Sequence, residues 1–172
     1  KISAVFYTET TFSNITNAPS WVGALNDGKL RIPVGGLDSV NDELSRTITH
    51  ELTHSFIRFK AQGRCPTWLN EGIAQIMEGR TSSKDRLAKA ESLVSLKMLE
   101  GSFMNFSTST ASVAYSYSLF ATEVLAERGN TTLMKILEDL GQNIGIDAAL
   151  SRNTRYKNLE DLENEMKRRL SQ

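Results

Sequence analysis

The sequence predicts an α+β fold, a small amino-terminal β-sheet followed by a mainly helical half. Three observations predict it. The β-prone runs Ile2 to Tyr7, Trp21 to Leu25 and Lys29 to Val34 all precede Gly35-Gly36. From Asp38 onward, apolar residues recur at helical spacing. Helix-starting residues and helix-ending glycines punctuate that second part. With 172 residues the chain suits a single domain, 1–172, large enough for one sizeable core. It divides into a β-rich part (1–36), a pair of helices (39–79) and a helical remainder (80–172).

The elements follow in order. Asn26-Asp27-Gly28 lies between two strand-like runs, and its Asp-Gly step is a strong hairpin signal. Ser39 with Asp42 three residues later resembles a capping box, launching a helix to about Gln62. On that helix Leu44, Ile48, Leu52, Phe56 and Phe59 form an apolar stripe for a core, and His50 and His54 lie on a separate face. Pro66 and Thr67 start a second helix, Trp68 to Met77, closed by Gly79. Its stripe Leu69, Ile73 and Ile76 packs inward, leaving Trp68, Glu71 and Gln75 together on another side. A third helix follows Ser82-Ser83 and runs to about Leu99. Gly101 to Ser112 reads as a Ser/Thr-rich loop, either a specificity lid or a plain connection. A long helix, about Val113 to Arg128, ends at Gly129. Short helices near 131–140 and 147–150 precede a charged helix, Leu159 to Leu170, capped by Asn158.

Composition excludes several classes. Lysine and arginine balance aspartate and glutamate, so nothing draws the chain to nucleic acid or an anionic membrane. No run of about 18 apolar residues exists to span a bilayer. The lone Cys65 forms no internal disulfide and, beside Pro66, reads as a packed small residue. The first residue is Lys1 rather than methionine, as expected of a mature or excised segment of a longer protein. Neither localisation nor oligomeric state is legible.

Both histidines fall within His50-Glu51-Leu52-Thr53-His54. On a helix the i, i+4 spacing brings two imidazoles onto one face, close enough to grip one metal ion. A catalytic zinc takes three protein ligands and keeps one position for water. No third histidine exists, so the third ligand should be a carboxylate. Glu71 is the best candidate, because sixteen residues separate it from His54, enough to finish a helix, turn and return antiparallel. Glu78 is the weaker contender. Glu51, between the histidines, suits a general base that deprotonates water whose pKa zinc has lowered. A developing oxyanion wants a further electrophile, for which Tyr115 and Tyr117 are available at the start of the long helix. Two residues apart, they face different ways, and only one of them serves.

His50-Glu51-Leu52-Thr53-His54 followed by Trp68-Leu69-Asn70-Glu71-Gly72-Ile73-Ala74 resembles the gluzincin zinc metallopeptidases. The resemblance is closest to bacterial peptidase MA-like domains and more distant to the M1 aminopeptidase family. It implies His50, His54 and Glu71 as zinc ligands, Glu51 as catalytic base and a thermolysin-like (zincin) catalytic fold. Ala114-Tyr115-Ser116-Tyr117-Ser118 before Glu127-Arg128-Gly129 is also similar to these domains and favours Tyr115 as the oxyanion donor. Two departures matter. Where the aminopeptidases read a substrate amine through a glutamate, the corresponding Gly23-Ala24-Leu25-Asn26-Asp27 has Asn26. That strand edge can still hold an extended peptide by β-addition. Where thermolysin-type enzymes carry an aspartate four residues beyond the third ligand, this chain has Gln75, able to accept an imidazole N–H.

The sequence therefore reads as a zinc-dependent peptidase acting on peptide or protein substrates. The rival reading is a binding or regulatory module that keeps the zinc and has lost turnover. A third is the catalytic piece of a membrane-tethered or multidomain processing factor, such as an exported bacterial protein.

Overall fold

Strand-forming residues on either side of the Asp-Gly turn build the sheet. In the computed structural model, residues 2–17, 22–35, 39–83, 87 and 94–172 are described. Strand β1 (Ala4–Tyr7) leads into helix α1 (Glu9–Thr16), then strands β2 (Leu25–Asn26) and β3 (Leu30–Pro33). The order is β1-β3-β2, with β1 parallel and β2 antiparallel to the central β3. Ala4 stands opposite Leu30, and Asn26 also faces Leu30 from the other side. Gly28 takes φ +103°, the left-handed conformation that lets the hairpin close. Strand β2 is consequently an edge, with no further strand beside it among the described residues.

Helix α1 is an element the sequence reading did not foresee. Thr8 caps it by accepting the Thr11 N–H, and Phe12 is its buried anchor. One anchor over eight residues gives too little periodicity to read. Trp21 and Gly36 lie outside the described residues.

Helix α2 (Asp42–Lys60) is capped by Asn41, not by Ser39, because the Asn41 side chain accepts the Leu44 N–H at 2.8 Å. Asp42 and Glu43 in its first turn and Arg58 and Lys60 in its last complement the helix dipole. The expected apolar stripe is only half right. Leu44 packs beneath Leu30 and Ile32, with Ile48 against them, whereas Leu52, Phe56 and Phe59 are exposed. The reason is geometric: each i+4 step overshoots a full turn by about 40°, so the series winds off the sheet-facing side. Glu51, Thr53, Ile57 and Ala61 are the buried residues instead.

Helix α3 (Thr67–Met77) lies between α2 and helix α4 (Thr108–Ala126). Enclosed on both sides, it buries Trp68 and Gln75 as well as Leu69 and Ile73; of the expected group Trp68, Glu71 and Gln75, the last two border the cleft and Trp68 lies in the core. Gly72 is what permits the closeness. A Cβ there would sit 2.7 Å from Thr122 Cβ, and nearer still to Thr122 Oγ1 and the Ser118 carbonyl.

The third expected helix falls largely on residues outside those described. Its end is corrected, since Val94–Lys97 is not helical and Met98–Glu100 forms a single 3₁₀ turn. Helix α4 begins at Thr108, earlier than expected, because Ser107 caps it through the Thr110 N–H and the hydroxyl residues form its first turn. The loop is therefore short, and Phe103 pins it to the core with Phe106 stacked alongside. Helices α5 (Asn130–Gly141), α6 (Ile146–Asn153) and α7 (Leu159–Leu170) complete that core, α7 capped by Asn158 as expected. Arg64, just past α2, donates from Nε to the Leu140 carbonyl at 2.9 Å, and its NH2 reaches the Gly141 carbonyl. A cation on those terminal carbonyls ties the turn between α2 and α3 to the end of α5.

Candidate metal centre

Helix α2 presents His50 and His54 toward α3, their rings edge to face with centroids 4.6 Å apart. From α3, Glu71 brings Oε2 to 3.5 Å from His50 Nε2 and 3.7 Å from His54 Nε2. Ligands of a tetrahedral zinc with bonds of about 2.0–2.1 Å stand about 3.4 Å from one another, close to these separations. Glu71 Oε2 is buried and accepts no hydrogen bond. An orphaned carboxylate oxygen is costly to bury, and here it aims at two imidazole nitrogens, so the donor set fits a divalent cation.

The other imidazole nitrogens are held from α3 and from Glu78, the residue that ends it. His54 Nδ1 lies 3.1 Å from Asn70 Oδ1, an acceptor that suits the tautomer with its proton on Nδ1 and the Nε2 lone pair turned to a metal. His50 Nδ1 lies 3.3 Å from Glu78 Oε1, which in turn meets Arg80 Nε at 2.7 Å. Gln75 does not orient a histidine. Its amide donates to the Tyr115 carbonyl at 2.9 Å and the Glu71 carbonyl at 3.3 Å, tying α3 to α4. Asn26 is likewise occupied, donating to the Glu51 carbonyl and to Ser55 Oγ, both at 2.8 Å. Those two bonds clamp the β2 edge along α2. The result is a cleft of about 640 Å³ walled by Val22 to Asn26 on one side and by α2 and α3 on the other, with Tyr115 and Met104 at its border.

The sequence profile of the Peptidase MA superfamily matches residues 5–171. The chain belongs to this superfamily. Comparison with curated proteins and with solved structures gave no match.

Within this peptidase MA domain, burial and charge set the protonation states. Glu51 is buried with Oε2 unpartnered. Burial pushes its carboxyl above the usual range; the two histidines pull it back, and Glu71 and Glu78 add to the rise. Without a metal, burial lowers the His50 pKa, but the Glu71 and Glu78 carboxylates outweigh it and lift it to about 9. The Tyr115 phenol is held above its usual value by burial first, then by Glu71 and Glu51, so it stays protonated as a donor. Tyr115 packs edge to face on Phe103 at 5.5 Å, whereas Tyr117 is buried in the core. Of the two phenols only Tyr115 borders the cleft. Cys65 also lines it, its thiol raised by burial and then by Glu71, as suits a packed residue.

Sequence reasoning missed Asn70 and the part taken by Glu78. The signal for Glu78 was present, since residues 71 and 78 lie seven apart, two turns along one helix face. Among the described residues, no helix is long and apolar enough to cross a membrane.

Proposed function

We propose that this domain is a zinc-dependent peptidase of the gluzincin type, with a thermolysin-like arrangement of its catalytic helices. The observation that carries the reading is the convergence of His50 Nε2, His54 Nε2 and the orphaned Glu71 Oε2. These three would hold the ion, with Asn70 and Glu78 fixing the imidazoles. Zinc, when bound, supplies a Lewis acid and lowers the pKa of water. Glu51 takes the proton of the attacking water and passes it to the leaving amine, a task suited to a carboxyl raised by burial. Tyr115 donates to the oxygen on which negative charge develops. The edge of β2, with no further strand beside it among the described residues, would hold an extended peptide by backbone hydrogen bonds.

A mixed peptide library, digested by the zinc-loaded chain and by Glu51→Gln, tests this. Cleavage by the parent and at least about a hundredfold loss in the variant are expected. Zinc binding with no cleavage by the parent contradicts the peptidase reading and leaves a silent binding module.

A further inference from the structure

Two guanidinium groups line the cleft, and they are differently engaged. Arg80 is committed to Glu78 at 2.7 Å. Arg58 is exposed and forms no ion pair among the described residues. The dipole of α2 accounts for a cation in its last turn, but not for one turned into the cleft. Lys60, in the same turn, instead points away to Glu138 at 3.2 Å.

The charge balance sharpens the contrast. Glu51, Glu71 and Glu78 face the cleft against Arg58 and Arg80. A divalent cation on the histidines turns that balance positive, and Arg58 is the uncompensated member. Its position is informative as well. It sits four residues past His54 on the same face of α2, about 6 Å along the helix axis. It stands where the chain turns into Gly63 and Cys65, which also border the cleft and carry no negative charge. An extended peptide advances about 3.3 Å per residue, so the guanidinium falls about two residues from the bond at the metal centre.

We infer that Arg58 selects substrates carrying a carboxylate within about two residues of the scissile bond. The inference rests on the peptidase reading above and gives it a substrate class. A guanidinium grips a carboxylate through two parallel N–H bonds, a geometry that a neutral amide does not match. The carboxylate has two sources: an aspartate or glutamate side chain, or the free carboxy terminus of a short peptide.

Matched peptides separate these sources on the zinc-loaded chain. One pair differs by Glu against Gln near the cleavage point, the other by a free against an amidated carboxy terminus. The expected result is a kcat/KM ratio of about 10 to 100 in favour of the acid in one of the pairs. That ratio falls to near unity in Arg58→Gln and is partly retained in Arg58→Lys, a pattern that a general loss of folding does not produce. Ratios near unity in the parent for both pairs, or a ratio that survives in Arg58→Gln, overturn the inference. A parent that cleaves nothing overturns the peptidase reading instead. Arg58 is then judged on the dissociation constants of the same peptide pairs, and no preference, or no binding, overturns it too.

Discussion

Replacing Gly72 by alanine probes how the fold positions Glu71. The added Cβ would lie 2.7 Å from Thr122 Cβ and closer to Thr122 Oγ1 and the Ser118 carbonyl. Carbon atoms pack at about 3.5–4.0 Å, so α3 and α4 must separate by roughly 1 Å. A side-chain rotation at Thr122 cannot relieve the clash, because the Ser118 carbonyl belongs to the backbone of α4. Overpacking of this kind costs about 1–3 kcal/mol, and in a domain of this size each kcal/mol lowers Tm by about 2–4 °C. A loss of about 2–12 °C in a thermal melt of the metal-free chain is therefore expected. Glu71 moves with its neighbour, so zinc affinity, measured by competition with a chelator, falls by about tenfold or more. Gly101→Ala is the control, since no atom lies within 4 Å of its Cβ and its φ is ordinary. The double change with Thr122→Ala recovers only part of the loss. Unchanged Tm and zinc affinity in Gly72→Ala would refute the claim that the α3–α4 contact sets the third ligand.

Other outcomes are expected from the same geometry. Glu78→Ala removes the partner of His50 Nδ1 and should weaken zinc binding about 10- to 100-fold while the circular dichroism stays unchanged; equal affinity would show that His50 needs no such partner. Tyr115→Phe should lower kcat about 10- to 1000-fold with little change in KM, and a loss confined to KM would assign the phenol to substrate binding instead. Glu165 is held down to about 2, below the ordinary 4.5, by its hydrogen bonds to Arg168 and Arg169. Its folded pKa lies below the unfolded one, so its stabilisation is present above about pH 4.5 and is lost as the pH falls toward 2. Thermal melts across that window should fall more steeply for the parent than for Glu165→Gln, and parallel curves would discount the contact.

Much of the candidate site's geometry could be read from the chain because its core is local. His50 and His54 share a face by helix geometry alone, and the sixteen-residue return to Glu71 needs only a turn between two helices. The hairpin was visible for the same reason, its Asp-Gly step being a property of two adjacent residues. What escaped depends on tertiary placement. Leu52, Phe56 and Phe59 have the spacing of a core stripe, but only the position of the sheet decides that Leu44 and Ile48 are covered and the others are not. Gln75, four residues past Glu71, was expected to accept an imidazole N–H, yet α4 packs close enough to offer it the Tyr115 carbonyl. Glu78, one turn further, reaches His50 instead. Hydroxyl residues at 107–110 read as loop because serine and threonine favour turns, and here they cap and open α4. Spacing alone left Tyr115 and Tyr117 open and the resemblance favoured Tyr115; the packing of α4 then buries Tyr117 and leaves Tyr115 at the cleft.

The most direct test of the proposed three-ligand centre is X-ray absorption spectroscopy at the zinc edge of the metal-loaded chain. Two histidine nitrogens at about 2.0–2.1 Å and carboxylate oxygen at about 2.0–2.2 Å are expected, with the histidine signal reduced in His54→Ala. A sulfur neighbour at about 2.3 Å, or an oxygen-only shell without imidazole scattering, would contradict the assignment of His50, His54 and Glu71 as the metal's ligands.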